Sequence, residues 1–150
     1  MGLRRKAREM ALQTLFALDF QEKDGEFGEL ELLNHFEEVL TEIASSDNIT
    51  AEDPRYAFAE DIVRLTIKHL GEIDSVISKH TKNWSIERLA SIDRNILRLA
   101  IAEMYYSETP APIIINEAIE IAKRFSTEQS GKFVNGILDK IQSEHIKNGS

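Results

Sequence analysis

The chain has 150 residues, 42% hydrophobic and 29% charged, with no cysteine and a formal net charge of −8. That length suits one domain with a sizeable core, in the composition range of globular proteins. The lack of cysteine excludes disulfide scaffolds, cysteine-ligated zinc or iron–sulfur sites and a thiol nucleophile, and the acidic balance disfavours non-specific nucleic-acid binding, since phosphate is repelled on average.

No apolar run approaches the roughly 20 residues that span a bilayer. The N-terminus is basic, but Gln13, Asp19 and Gln21 interrupt the segment behind it, so it does not read as a secretory signal. A cytoplasmic protein with no membrane partner is expected.

Apolar periodicity is helical almost throughout, and no segment alternates as a half-buried strand should. The pattern predicts a first helix from about Leu3 to about Gln21, with Leu3, Ala7, Met10, Ala11, Thr14 and Leu18 as its buried stripe. Lys23-Asp24-Gly25 ends it. A second helix carries Leu32, Phe36, Val39, Leu40 and Ile43, and Ser45-Ser46-Asp47-Asn48 reads as a loop. Asp53 is placed to cap a third helix, with Pro54 at its first position. That helix shows Phe58, Ile62, Leu65, Thr66, Ile73 and Ile77 and is expected to run to about His80 with Gly71 inside it.

Trp84-Ser85 opens a short helical turn, with Ser85 as cap and Leu89 as its apolar residue. From about Ile92 to Tyr105, Ile92, Ile96, Leu97, Leu99, Ala100, Ile101 and Met104 leave few outward positions, so this helix is expected to be buried and central. Thr109-Pro110-Ala111-Pro112 is a stiff connector. Pro112 then starts a helix with Ile115, Ala118, Ile119, Ala122 and Phe125. Ser126-Thr127-Glu128-Gln129 has the spacing of a capping box and opens a last helix with Phe133, Ile137, Leu138 and Ile141 in its core. The tail after about His145 is expected to fray. About seven helical segments follow, in an all-α single domain over 1–150, with sub-bundles of about 1–80 and 81–146.

Catalytic constellations are not found. The four histidines, His35, His69, His80 and His145, form no HExxH pattern and no ligand spacing with carboxylates. His80 reads as a satisfied histidine at a core edge. Gly131-Lys132 lacks the strand and glycine spacing of a phosphate loop. Glu37-Glu38 and Glu29 with Glu31 read as a solvated face. The chain is therefore read as no enzyme, with no cofactor and no metal.

The basic end is more informative. Arg4, Arg5, Lys6 and Arg8 fall within the first eight residues of an otherwise acidic chain, and a Debye length of about 8–10 Å leaves that end to act for itself. Arg5 and Phe16 are eleven residues apart, nearly three turns at about 3.6 residues per turn, so they share a face turned away from the Leu3–Leu18 stripe. Cations bind phosphate and aromatics stack on unpaired bases, which together suit single-stranded RNA. The alternative is that Phe16 packs under another helix and the cations are a solvated terminus. Gly131 and Gly136 each cost a helix about 1 kcal/mol relative to alanine. They point to close helix approach or to a surface that admits a ligand, with close packing at least as good a reading for Gly136. Asn116-Glu117 reads as favourable charge near a helix N-terminus.

Three segments together resemble the NusB family. Arg4-Arg5-Lys6-Ala7-Arg8-Glu9, with Ala11-Leu12-Gln13 and Leu15-Phe16, is similar to its opening helix. Leu89, Ile92 and Arg94 through Ile96-Leu97-Arg98-Leu99-Ala100, then Glu103-Met104, resemble its middle signature. Ile115 through Lys123, Phe125 and Lys132 through Lys140 resemble its C-terminal signature. The resemblance spans almost the whole chain in order. It implies two three-helix sub-bundles with a connecting segment, and an RNA-binding transcription antitermination factor. Such a factor binds boxA-like single-stranded RNA of nascent ribosomal RNA transcripts, together with the small-subunit ribosomal protein NusE, in the RNA polymerase antitermination complex.

By the same resemblance, Arg4, Arg5, Lys6 and Arg8 would contact RNA, with Gln13 and Phe16 beside them. Phe125, Lys132 and Phe133 would add a surface from the C-terminal bundle. Phe16 stands where many relatives carry tyrosine, so stacking is kept and a phenolic hydrogen bond is lost. Gln129 stands where some relatives carry an acid. Asp93, read as an exposed acid, would meet the basic ribosomal protein. The alternatives are a protein-only helical adaptor and an accessory module such as the one preceding a ribosomal RNA cytosine methyltransferase. The chain ends at Ser150 with no Rossmann-like half or catalytic cysteine, so methyl transfer by it is not expected. Exposed apolar surface would serve a homodimer or the RNA or partner face.

Overall fold

The computed structural model describes residues 2–22, 28–81 and 89–149. The expected helix stop at Lys23-Asp24-Gly25 and the turn at Trp84-Ser85 lie outside them. Seven α-helices follow one another: α1 (Gly2–Glu22), α2 (Glu29–Ser46), α3 (Pro54–Lys68), α4 (Leu70–His80), α5 (Ser91–Tyr106), α6 (Ala111–Phe125) and α7 (Glu128–Gly149). There is no strand among the described residues, as the helical periodicity predicts.

The chain divides into two units, Met1–Lys68 and His69–Ser150. In the first, α1, α2 and α3 pack pairwise as a three-helix bundle. In the second, α5, α6 and α7 do the same, with α4 against α5 and α7. The division falls after Lys68 rather than near residue 80, because the expected long third helix is two helices. Apolar spacing continues through the break, but each half buries in a different core: Ile62, Val63 and Ile67 in the first unit, Ile73 and Ile77 in the second. Local chemistry weakens the junction. The Thr66 hydroxyl donates to the Ile62 carbonyl at 2.7 Å, a back-bond that tends to bend helices. His69 then leaves helical geometry at φ −114°, ψ 22°.

Helix α1 is the centre of the first unit. Every residue from Ala7 to Leu12 is buried, Arg8 and Glu9 included. Leu3, expected in the stripe, is 61% exposed because it lies at the helix end beyond the core. Helix α3 starts as expected. The Asp53 carboxylate accepts the Arg55 amide at 2.8 Å, satisfying one of the helix's orphan donors. Hydrogen bonds from the Arg55 side chain and backbone hold the Asp53 carboxyl down at about 2.

Helix α5 is the corresponding element of the second unit: every residue from Arg94 to Met104 is buried. Burial of a side chain such as Leu97 or Ile101 contributes about 1.5–3 kcal/mol. The polar members are paired. Arg98 donates from Nε and Nη2 to the two oxygens of Asp74, each at 2.8 Å, and from Nη1 to Asn95 at 3.1 Å. This two-pronged ion pair ties α4 to α5. His80 is satisfied, as expected, between the Val76 carbonyl and Glu144, each at 2.8 Å. Glu117, read as favourable charge near a helix N-terminus, lies buried in the second turn of α6.

Candidate nucleic-acid interface

In the first unit, the basic residues come from the first two turns of α1. Arg4 is exposed and Arg8 only 6% exposed, and both guanidiniums lie over the Phe58 ring of α3, at 5.1 and 5.2 Å from its centroid. These are cation–π distances. Lys6 reaches across to α2 and pairs with Asp47 at 2.6 Å. Both partners are partly exposed, so this pair is worth at most about 1 kcal/mol and an incoming anion can compete for the lysine.

Arg5 is half-buried, while Gln13 and Phe16 are exposed further along α1. Phe16 keeps 38% of its surface accessible, so it does not pack under another helix, and the helical spacing read from the sequence describes its face correctly. The result is a basic helix end leading to an amide and an aromatic ring on one side. Cations supply affinity for phosphate, and an exposed ring supplies a stacking surface for a base.

In the second unit, the residues cluster where α6 turns into α7. Phe125 ends α6, half-buried, with the Arg124 guanidinium 5.4 Å from its ring centroid. Lys132 is exposed and Phe133 half-buried on the first turns of α7, and Gln129 is exposed. The cap of α7 is Thr127, one residue later than expected, with its hydroxyl accepting the Ser130 amide at 3.0 Å. Ser126 instead closes α6, its amide donating to the Ala122 carbonyl at 2.8 Å. Gly131 permits the tight approach of α6, since a Cβ there would lie 3.1 Å from Lys123 Cγ. Gly136 has nothing within 4 Å of an added Cβ and is exposed, so close packing is not its reason. It leaves bare backbone on the outer face of α7.

Asp93 departs from its expected place. It is not an exposed acid but a half-buried one in the first turn of α5. Its Oδ2 accepts a hydrogen bond from Ser130 Oγ at 3.2 Å, and Ser130 in turn shares a 2.7 Å hydrogen bond with Ser126. Oδ1 is buried without a hydrogen-bond partner among the described residues. Burial pushes the Asp93 carboxyl up, more than the nearby hydroxyls of Ser130 and Ser126 draw it down. Its visible work is to anchor the turn between Phe125 and Lys132.

Sequence reasoning did not find Phe58, Asp47 or Arg124. Arg124 was available as the neighbour of Phe125, whereas Phe58 and Asp47 depend on how α3 and α2 pack on α1. Among the described residues no group of three His, Asp or Glu could hold a metal ion, and no helix is long and apolar enough to cross a membrane.

Comparison with known proteins gives this geometry its context. The NusB family model matches residues 5–143. Transcription antitermination protein NusB of Solibacter usitatus is 43% identical over 144 residues, covering 96% of this chain and 91% of that protein. The protein of the same name from Elusimicrobium minutum is 42% identical over 151 residues, 99% of each chain. A chain in the crystal structure of antitermination factors NusB and NusE in complex with dsRNA superposes with a TM-score of 0.80 at 31% identity, covering 96% of this chain and 98% of that one. With the family signature, the near-complete relatives and the seven-helix architecture in agreement, this chain belongs to the NusB family.

Proposed function

We propose that the chain is a transcription antitermination factor that binds boxA-type RNA of nascent ribosomal RNA transcripts together with ribosomal protein NusE. Through that partner it would join the RNA polymerase antitermination complex in the cytoplasm. The observation that carries the RNA role is the α1 face, where an exposed Phe16 and Gln13 follow a basic helix end. The solved NusB–NusE relative bound to dsRNA supports both partners.

The division of labour follows from placement. Arg4, Arg5 and Lys6 offer charge to the RNA backbone, Lys6 after exchanging Asp47 for phosphate. Arg8, buried on Phe58, braces the helix end. Phe16 offers a stacking face, and an exposed ring favours unpaired bases over a duplex. In the second unit, Phe125, Lys132 and Phe133 form a further contact surface, with Asp93 fixing the turn between them. A net charge of −8 makes unaided RNA binding weak, and a basic partner sharing the RNA would raise it. Such coupling is typically about 1–3 kcal/mol and is reciprocal, so RNA tightens NusE binding by the same factor.

The test is fluorescence anisotropy of a boxA single strand, its duplex and a scrambled strand, each titrated with the protein at two salt concentrations, with and without NusE. Selective binding of the single strand, strengthened by NusE and weakened by salt, is expected. Equal binding of boxA and scrambled strands under every condition would overturn the proposal in favour of a protein-only adaptor.

A further inference from the structure

We propose that Phe58 is a positioning residue of the RNA surface, its ring holding Arg4 in the orientation that meets a backbone phosphodiester. The inference rests on the RNA reading above and assigns a role to a residue outside the basic segment. Arg4 and Arg8 lie one helical turn apart on α1, where like charges repel. Both nevertheless converge on one aromatic ring, at 5.1 and 5.2 Å from its centroid. The negative face of the ring offsets their repulsion. Arg8 is buried there and Arg4 exposed, so the ring has one cation fixed inside and one presented outward.

The core does not call for this arrangement. Phe58 is only half-buried, while Tyr56, Ala59, Ile62, Val63 and Ile67 carry the burial of α3. An arginine at an open helix end samples many rotamers and loses that freedom on binding. A ring that already confines the side chain removes part of the loss before RNA arrives. Phe58 thus acts through Arg4 and touches no RNA itself.

The experiment measures boxA RNA binding by the NusE-bound protein across a salt series, for Phe58→Leu, Phe58→Tyr, Arg4→Ala and the Arg4→Ala/Phe58→Leu pair. Phe58→Met is a second ring-less variant should the leucine form melt at the assay temperature. Loss of the ring is expected to weaken binding by about three- to tenfold. The slope of log affinity against log salt should become shallower by about 0.7, the value for one single-strand phosphate contact. Phe58→Tyr should bind as the unaltered chain does, and Phe58→Leu should add nothing once Arg4 is gone. Unchanged affinity and slope in a folded ring-less variant would overturn the inference while leaving the RNA reading intact. So would a Phe58→Leu loss of equal size in the Arg4→Ala background. Absence of selective RNA binding by the unaltered chain would overturn both.

Discussion

The N-terminal end of α1 and the turn between α6 and α7, the two surfaces proposed to meet RNA, hold their side chains in different ways. At α1 the groups are cations, restrained by an aromatic ring and by an exchangeable ion pair. At the α6–α7 turn the aromatics lie on two helices whose junction is fixed by hydroxyl hydrogen bonds, a half-buried carboxylate and one close-packed glycine. The first region is an electrostatic device and should respond to salt. The second is a matter of backbone placement and should respond to packing.

Four substitutions put this contrast to the test. The largest effect is expected where the scaffold of the second unit is cut. Asp74→Ala removes the two-pronged partner of Arg98 and should cost about 2–3 kcal/mol, since the arginine end of the pair is buried and the carboxylate end partly exposed. Thermal melting would register this, and an unchanged midpoint would show that the pair does not hold α4 to α5. Next comes the triple variant Arg4→Gln, Arg5→Gln, Lys6→Gln. RNA affinity should fall by roughly ten- to a hundredfold with a clearly shallower salt slope, while the melting midpoint changes little.

Phe16→Ala should remove about 1–2 kcal/mol of RNA binding, the scale of one stacked base, and leave the salt slope unchanged. A slope change there would mean that Phe16 serves the cations rather than a base. The smallest effect concerns Asp93, whose carboxyl is raised by burial. A carboxyl raised in the folded state stabilises the fold fully below its unfolded value, near 3.8, and that contribution is lost as pH rises through the folded value. Asp93→Asn removes the charge that must be buried, so its melting midpoint should exceed that of the unaltered protein by about 1–2 °C at pH 7. The two should converge as pH falls toward 4.

Much of this was legible in the amino-acid order. Periodicity marked the burial of α5, and Asp53-Pro54 marked the start of α3. The spacing of Arg5 and Phe16 placed both on one face of α1. What could not be read depends on which surfaces meet. The α3–α4 break was hidden because Thr66–Ile77 keeps a helical apolar pattern while its halves enter different cores. The burial of Arg8, Glu9 and Glu117 runs against residue type, and only the surrounding helices create it. Asp93 looked like an exposed acid until the N-terminal turn of α7 was seen over it. Phe58 looked like an ordinary core residue of α3 because its two cations belong to another helix.

RNA is proposed to meet the basic face of α1 and, separately, the α6–α7 turn. Backbone amide chemical-shift mapping of the labelled protein, with and without boxA RNA in the presence of NusE, tests it most directly. RNA-dependent shifts are expected between Arg4 and Phe16 and between Phe125 and Phe133, with α2 away from its Asp47 cap little affected. Shifts confined to the acidic outer face of α2, with α1 and the α6–α7 turn silent, would contradict this placement.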